Sequence, residues 1–167
     1  VFGLIKKFFP PLMPVARWAM AKRARDHART PMQWENKTGA GFTTGTPWMK
    51  INPNLGEINV KTEEANPNSI LNFYKKLIDF RKGNEIIRDG SYTEYFNSNK
   101  NVYCYKRQLG SKGYIIICNF KEKKVVLNVD TIPEARGAKL VFGSWDAQDG
   151  VLGDSILLKP YEGVIYE

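Results

Sequence analysis

From about residue 90 to the end of this chain, apolar residues recur at every second position. A period of two marks strands with one buried and one wet face, and no helix satisfies it. The pattern predicts strands near Ser91–Phe96, Val102–Gln108, Gly113–Asn119, Lys124–Val129, Ala138–Phe142, Ser155–Lys159 and Gly163–Tyr166. Turn-forming residues separate them: Asn97-Ser98-Asn99, Leu109-Gly110-Ser111, Lys121-Glu122-Lys123, Asp149-Gly150 and Pro160. Short strands at this spacing predict an antiparallel sandwich or barrel.

Just upstream the period changes. Ile70, Phe73, Tyr74, Leu77, Ile78 and Arg81 follow the i, i+3, i+4 rhythm of one helix face, which predicts a helix over 69–82 with that stripe toward a core. Asn68 or Ser69 is placed to cap it, Pro67 precedes it, and Gly83 stands where a left-handed residue would end it. The expected fold class is therefore mainly β with one clear α-helix.

Composition narrows the function classes. With 43% hydrophobic and 25% charged residues, the 167-residue chain has the makeup of a globular protein. The formal charge of +8 is uneven: residues 1–30 hold seven basic residues and one acid, Asp26, so the remainder is close to neutral. That weakens a nucleic-acid reading based on overall basicity. No apolar run approaches the roughly 20 residues that span a bilayer. A basic amphipathic helix around Val15–Arg25 would bind a membrane surface, or be a segment without packing partners. The first residue is Val rather than Met, which reads as a processed chain, a non-standard start or a fragment. Cys104 and Cys118 lie in strand-like runs without Cys-x-x-Cys spacing, so they read as free buried thiols in a reducing cytoplasm.

Residues 25–60 form a long loop punctuated by Gly, Pro and Asn, yet rich in Met32, Trp34, Phe42, Trp48, Met49 and Ile51. Loops of this length in compact domains are usually functional, and the apolar anchors predict one that is packed and shaped. His27 is the one histidine, so a histidine-built zinc site is excluded; no nucleophile elbow and no Gly-rich phosphate loop occur. The densest polar cluster is Arg25-Asp26-His27-Ala28-Arg29, set beside Thr30-Pro31-Met32-Gln33-Trp34. Its arginines suit recognition of hydroxyls and carboxylates, while Asp26 could equally neutralise an arginine in an ion-pair knot. The residue chemistry leaves both open.

The segment RDHARTPMQWENKTGAGFTTGTPWMKINPN resembles the stretch after the last barrel strand in glycoside hydrolase family 13. More narrowly it resembles the α-glucosidase branch of oligo-1,6-glucosidase, glucan 1,6-α-glucosidase and trehalose-6-phosphate hydrolase. INVKTEEANPNSILNFYKKLIDFRKGNEIIRDGSY and LLKPYEGVIYE continue the likeness, which covers residues 25–167 and leaves 1–24 unmatched. It implies three parts: an unmatched basic and aromatic lead at 1–24, the last loop and helix of a truncated (β/α)8 barrel at 25–84, and a C-terminal antiparallel β-sandwich at 85–167. It implies a retaining mechanism with an Asp nucleophile, a Glu acid–base and an Asn-His-Asp motif. No Asn-His-Asp triplet occurs here, so no catalytic residue is assigned in this chain. By resemblance Arg25 and Arg29 would bind substrate, with Asp26, His27 and Trp34 bracing the loop. The implied partner is an oligosaccharide. No cofactor, metal, nucleic acid or membrane is expected, and the implied state is a cytoplasmic monomer inactive on its own.

Two readings of other classes stand beside this one. Trp34, Trp48, Tyr92 and Tyr95 would stack on sugars in a stand-alone binding module, against a core-packing role for the same rings. Residues 1–29 would bind nucleic acid or anionic membrane, against a merely solvated basic run.

Overall fold

The computed structural model describes residues 11, 13–15, 18, 29–144 and 150–167, so most of the Val15–Arg25 segment lies outside the described residues. The chain forms two compact units, one ending at Asn72 and one running from Phe73 to Glu167.

In the first unit two 3-10 turns, Thr38–Gly41 and Pro53–Gly56, lead to helix α1 (Val60–Ala65) and the start of α2 (Ile70–Lys82). Capping explains both helix starts. The Asn59 side chain accepts from the Thr62 amide at 3.0 Å, and Ser69 Oγ accepts from the Asn72 amide at 3.1 Å. Asn72 Nδ2 then reaches back to the carbonyls of Glu63, Glu64 and Asn66, tying the two helices into one corner. Ser69 is thus the cap that the sequence left open between two residues. Gly83 does not take the left-handed conformation expected of it; its amide donates to the Asp79 carbonyl at 2.9 Å.

Among the described residues the second unit carries α3 (Glu85–Asp89), capped by Asn84, and seven strands. These are β1 (Ser91–Tyr95), β2 (Val102–Leu109), β3 (Lys112–Asn119), β4 (Val125–Asn128), β5 (Leu140–Gly143), β6 (Ser155–Leu158) and β7 (Gly163–Tyr166). Five form one sheet in the order β1-β2-β3-β7-β5, and β4 pairs with β6. Among the described residues every strand pairing is antiparallel, with a register shift between Leu140 and Phe142 on β5. The chain is mostly sheet with few helices. Short α1 and α3 join α2, so the expectation of one clear helix undercounted them.

Strand β3 is buried on both faces. Ile115 and Ile117, with Val102 and Cys104 of β2 and Val164 and Tyr166 of β7, meet Leu127 of β4 and Leu158 of β6 in the larger core. Tyr114 and Ile116 face the other way, with Ile165, against Leu77 and Phe80 of α2 and Ile86 and Ile87 of α3. The α2 stripe therefore needs correction: Phe73, Leu77 and Phe80 pack inward, and Phe73 and Phe80 lie 5.5 and 5.4 Å from the Phe142 ring. Ile70, Tyr74 and Ile78 are exposed. Cys104 is buried and Cys118 half-buried, and both are free. Burial pushes the Cys104 thiol up to about 12, with Cys118 adding to the rise.

Two residues pin the sheet ends. Asn119 donates to the carbonyls of Lys123 and Lys159 and accepts from the Lys121 amide, all within 3.0 Å. At Gly90 an added Cβ would come within 2.4 Å of the Ile86 carbonyl oxygen and 2.9 Å of that of Gln108, both backbone. We predict that Asn119→Ala lowers unfolding free energy by about 2–3 kcal/mol in urea melts, since it removes three hydrogen bonds made by a buried side chain. Gly90→Ala should cost about as much, through a clash that backbone cannot relieve. A loss under about 0.5 kcal/mol in either would contradict the assigned role. The raised Cys104 pKa also sets a pH window: its contribution is constant below the unfolded thiol value of 9.0 and is lost as pH rises toward about 12. Cys104→Ala should flatten that alkaline slope.

Candidate substrate loop

The sequence places its candidate site at the start of the first unit. Arg25, Asp26 and His27 lie outside the described residues. Arg29 is exposed at the head of the described loop, and Trp34 is exposed five residues on.

The described part of the loop is held by its backbone. The amides of Trp34 and Glu35 both donate to the Ala40 carbonyl, at 2.9 and 3.2 Å. On the other side the carbonyls of Gln33 and Trp34 accept from the amides of Val60 and Lys61, at 2.9 and 3.0 Å. The Gln33 side chain donates to the Ile58 carbonyl. Trp34 is thus clamped between the Thr38–Gly41 turn and the first turn of α1. The turn is strained to do this, because Gly39, Ala40 and Gly41 all have positive φ, of 69°, 57° and 69°. A Cβ at Gly41 would lie 3.1 Å from both Trp34 Cβ and Glu35 Cγ. In the sequence Gly39 and Gly41 read only as loop punctuation, not as this Gly-Ala-Gly hub. Its signal was available in the glycines themselves, since a bare backbone suits a left-handed turn.

Charge reinforces the clamp. The Glu35 carboxylate pairs with Lys37 and, at 3.8 Å, with Lys61 of α1. Hydrogen bonding to Lys37 is the first cause holding the Glu35 carboxyl below its usual range. The apolar anchors do less than expected. Met32, Trp34, Phe42 and Trp48 are exposed, Trp48 by 78%, while Met49 and Ile51 are half-buried. Hydrogen bonds rather than side-chain burial shape this loop. Of the four rings considered for stacking, Tyr95 packs on the larger core, whereas Trp34, Trp48 and Tyr92 are at the surface. Among the described residues no three His, Cys, Asp or Glu side chains gather as a metal site, and no helix is long and apolar enough to cross a membrane.

A braced loop presenting an arginine and a tryptophan, followed by a capped helix corner and an antiparallel β unit, matches known proteins. Residues 15–90 match the family model described as alpha amylase, catalytic domain. The chain is 39% identical over 145 residues to oligo-1,6-glucosidase of Bacillus cereus, covering 87% of this chain and 26% of that protein. It is 40% identical, with the same coverage, to oligo-1,6-glucosidase of Parageobacillus thermoglucosidasius. Over these matched residues the chain is similar to the α-amylase family of glycoside hydrolases. A crystal structure of the trehalulose synthase MutB from Pseudomonas mesoacidophila MX-45 superposes with a TM-score of 0.79 at 33% identity, over 98% of this chain and 30% of that one. The chain spans about a quarter of the length of the curated relatives it matches.

Two outcomes test the loop. Glu35 should titrate below the ordinary 4.5, and Lys37→Ala should bring it back up, as read from its side-chain carboxyl resonance. Its contribution to the clamp is present above that ordinary value and is lost as pH falls through the lowered one. Gly41→Ala should destabilise the loop by about 1–2 kcal/mol. It should speed hydrogen exchange at the Trp34 and Glu35 amides and leave β3 unchanged.

Proposed function

We propose that this chain is the C-terminal portion of a retaining α-glucosidase acting on short α-glucosides such as isomalto-oligosaccharides. Residues 25–84 carry the last loop and final helix of a (β/α)8 barrel, and residues 85–167 form a C-terminal antiparallel β-sandwich. Arg25 and Arg29 bind the substrate, and Asp26, His27 and Trp34 hold their loop in place. The Asp nucleophile and the Glu acid–base belong to the part of the barrel that this chain lacks, so it cannot break a glycosidic bond alone. The complete enzyme is a cytoplasmic monomer that needs no cofactor.

The observation that carries this reading is the bare outer face of α2. Ile70, Tyr74 and Ile78 recur one turn apart and are 76%, 59% and 43% exposed. A soluble helix does not ordinarily leave such a stripe in water. Next to it an apolar groove of about 600 Å³ opens among Phe73, Leu77, Tyr105, Cys118, Phe142 and Tyr161. Burying each large apolar side chain is worth about 1.5–3 kcal/mol, so a barrel wall seated there would gain substantially. The partial coverage of the relatives agrees with a missing wall.

The purified chain should release no glucose from isomaltose. Mixed with the upstream three-quarters of the B. cereus oligo-1,6-glucosidase, it should restore hydrolysis. In that complex Arg29→Ala should raise KM about tenfold or more with a smaller effect on kcat, because it removes a charge-assisted contact made in the ground state as well. Turnover by the chain alone, or failure of the two parts to associate, would count against the proposal. So would an unchanged KM, for the role of Arg29.

A further inference from the structure

The β1–β2 end of the five-stranded sheet carries an open cleft of about 420 Å³, lined by Glu94, Phe96, Asn97, Asn99, Tyr103 and Phe120. Register brings the aromatic members together. Tyr103 lies opposite Cys118 in the β2–β3 ladder, and Phe120, two residues on, continues the same face. The Phe120 amide donates to the Asn101 carbonyl at 3.0 Å, yet its ring is 63% exposed. The turn that forms the far wall is also fixed. Phe96 has a φ of 57°, its carbonyl accepts from the Asn99 amide at 2.7 Å, and Asn99 Oδ1 accepts from the Asn101 amide at 2.9 Å.

The tyrosines are pre-positioned. The Tyr92 hydroxyl donates to Glu94 Oε2 at 3.0 Å, which leaves its oxygen to accept from the Tyr103 hydroxyl at 2.8 Å. Tyr105 packs against both at a tilt, with centroids 5.2 Å from Tyr103 and 5.4 Å from Tyr92. The hydrogen bond with Tyr103, then desolvation and the neighbouring Glu94, hold the Tyr92 phenol above its ordinary range, so it stays a neutral donor. The rings therefore lose little further freedom on meeting a ligand.

Exposed aromatic faces beside a carboxylate and side-chain amides have a natural complement in a sugar. A pyranose presents an apolar C–H face that stacks on a ring, with hydroxyls around its edge that both donate and accept. Glu94 accepts, Asn97 does both, and Lys100 donates. One acid against one lysine leaves the cleft near neutral, which does not suit a polyanion such as nucleic acid. We propose that this cleft binds a neutral pyranose of an oligosaccharide, with Phe120 and Tyr103 as the stacking surface and Glu94 and Asn97 as hydroxyl partners. The site stands on the second unit alone and does not rest on the glucosidase reading.

The test is a titration of the ¹⁵N-labelled full chain with maltotriose, up to about 50 mM, followed by amide shifts. Saturable changes centred on Tyr92–Tyr103 and Phe120, with Kd in the millimolar range, are expected. Phe120→Ala and Tyr103→Ala should each weaken binding about tenfold, and Tyr103→Phe by less, since it keeps the ring. Tyr161→Ala, which removes an exposed ring outside the cleft, should leave binding unchanged. The exposure of Phe120 makes its variant safe for folding, and an unchanged circular dichroism spectrum would verify that. No saturable shift, shifts confined to Arg29–Trp34, or equal binding by Phe120→Ala would each overturn the proposal. Tighter binding of a single-stranded oligonucleotide than of maltotriose would overturn it as well.

Discussion

A strand buried on both faces has to be covered twice, and β3 is that strand. Its run Tyr114-Ile115-Ile116-Ile117 gives two residues to each side, so neither face can be left wet without losing a core. The inner side is closed by the β4–β6 ribbon and the loops around Val129, Ile132 and Leu152. The outer side is closed by the packed half of α2 and by α3. The ends of β3 carry matching constraints. Gly110, with a φ of 61°, begins the two-residue turn that delivers β2 to its flank, and Asn119 ties the Lys121–Lys123 turn to Lys159 at the other end. The strand order follows, because β2 and β7 are the neighbours that complete the ladder on either side.

The two units are stabilised by different physics. The second relies on apolar burial, and its buried Lys106 is paired to Glu134. The first is held by directional bonds around Ala40, Asn59, Ser69 and Asn72, while large side chains such as Trp34 and Trp48 remain in water. Directional bonding fixes the path of a loop without demanding a core beneath it. A surface that must present side chains to something else is well served by that arrangement.

How much of this was legible follows from how local each signal was. The strands were readable because alternation over four to eight residues, bounded by turn residues, has few other solutions. The α2 cap was readable because Ser69 stands one residue before the periodic run. The short helices at Val60–Ala65 and Glu85–Asp89 were not, since one or two turns hold no periodicity; only their asparagine caps announced them. The α2 stripe misled for a different reason. Two apolar stripes share that helix, and which of them is buried is decided by Phe142 and Tyr114, more than thirty residues downstream. The candidate site was legible chiefly through resemblance. Roles for Arg25, Asp26, His27 and Arg29 depend on what stands across from them, and local sequence carries no trace of that.

The register shift on β5 has a consequence beyond the molecule. An outer strand with regular unpaired amides and carbonyls is a template on which another chain can lay a strand of its own. Here one outer strand, β5, is four residues long and broken between Leu140 and Phe142. The other, β1, is five residues long and turns the Glu94 carboxylate outward among mostly exposed neighbours. A strand arriving from a second molecule would find too few bonds in phase to hold it. The sheet is thereby protected from growing into a fibre, even though its flanking helix and groove leave greasy surface in water.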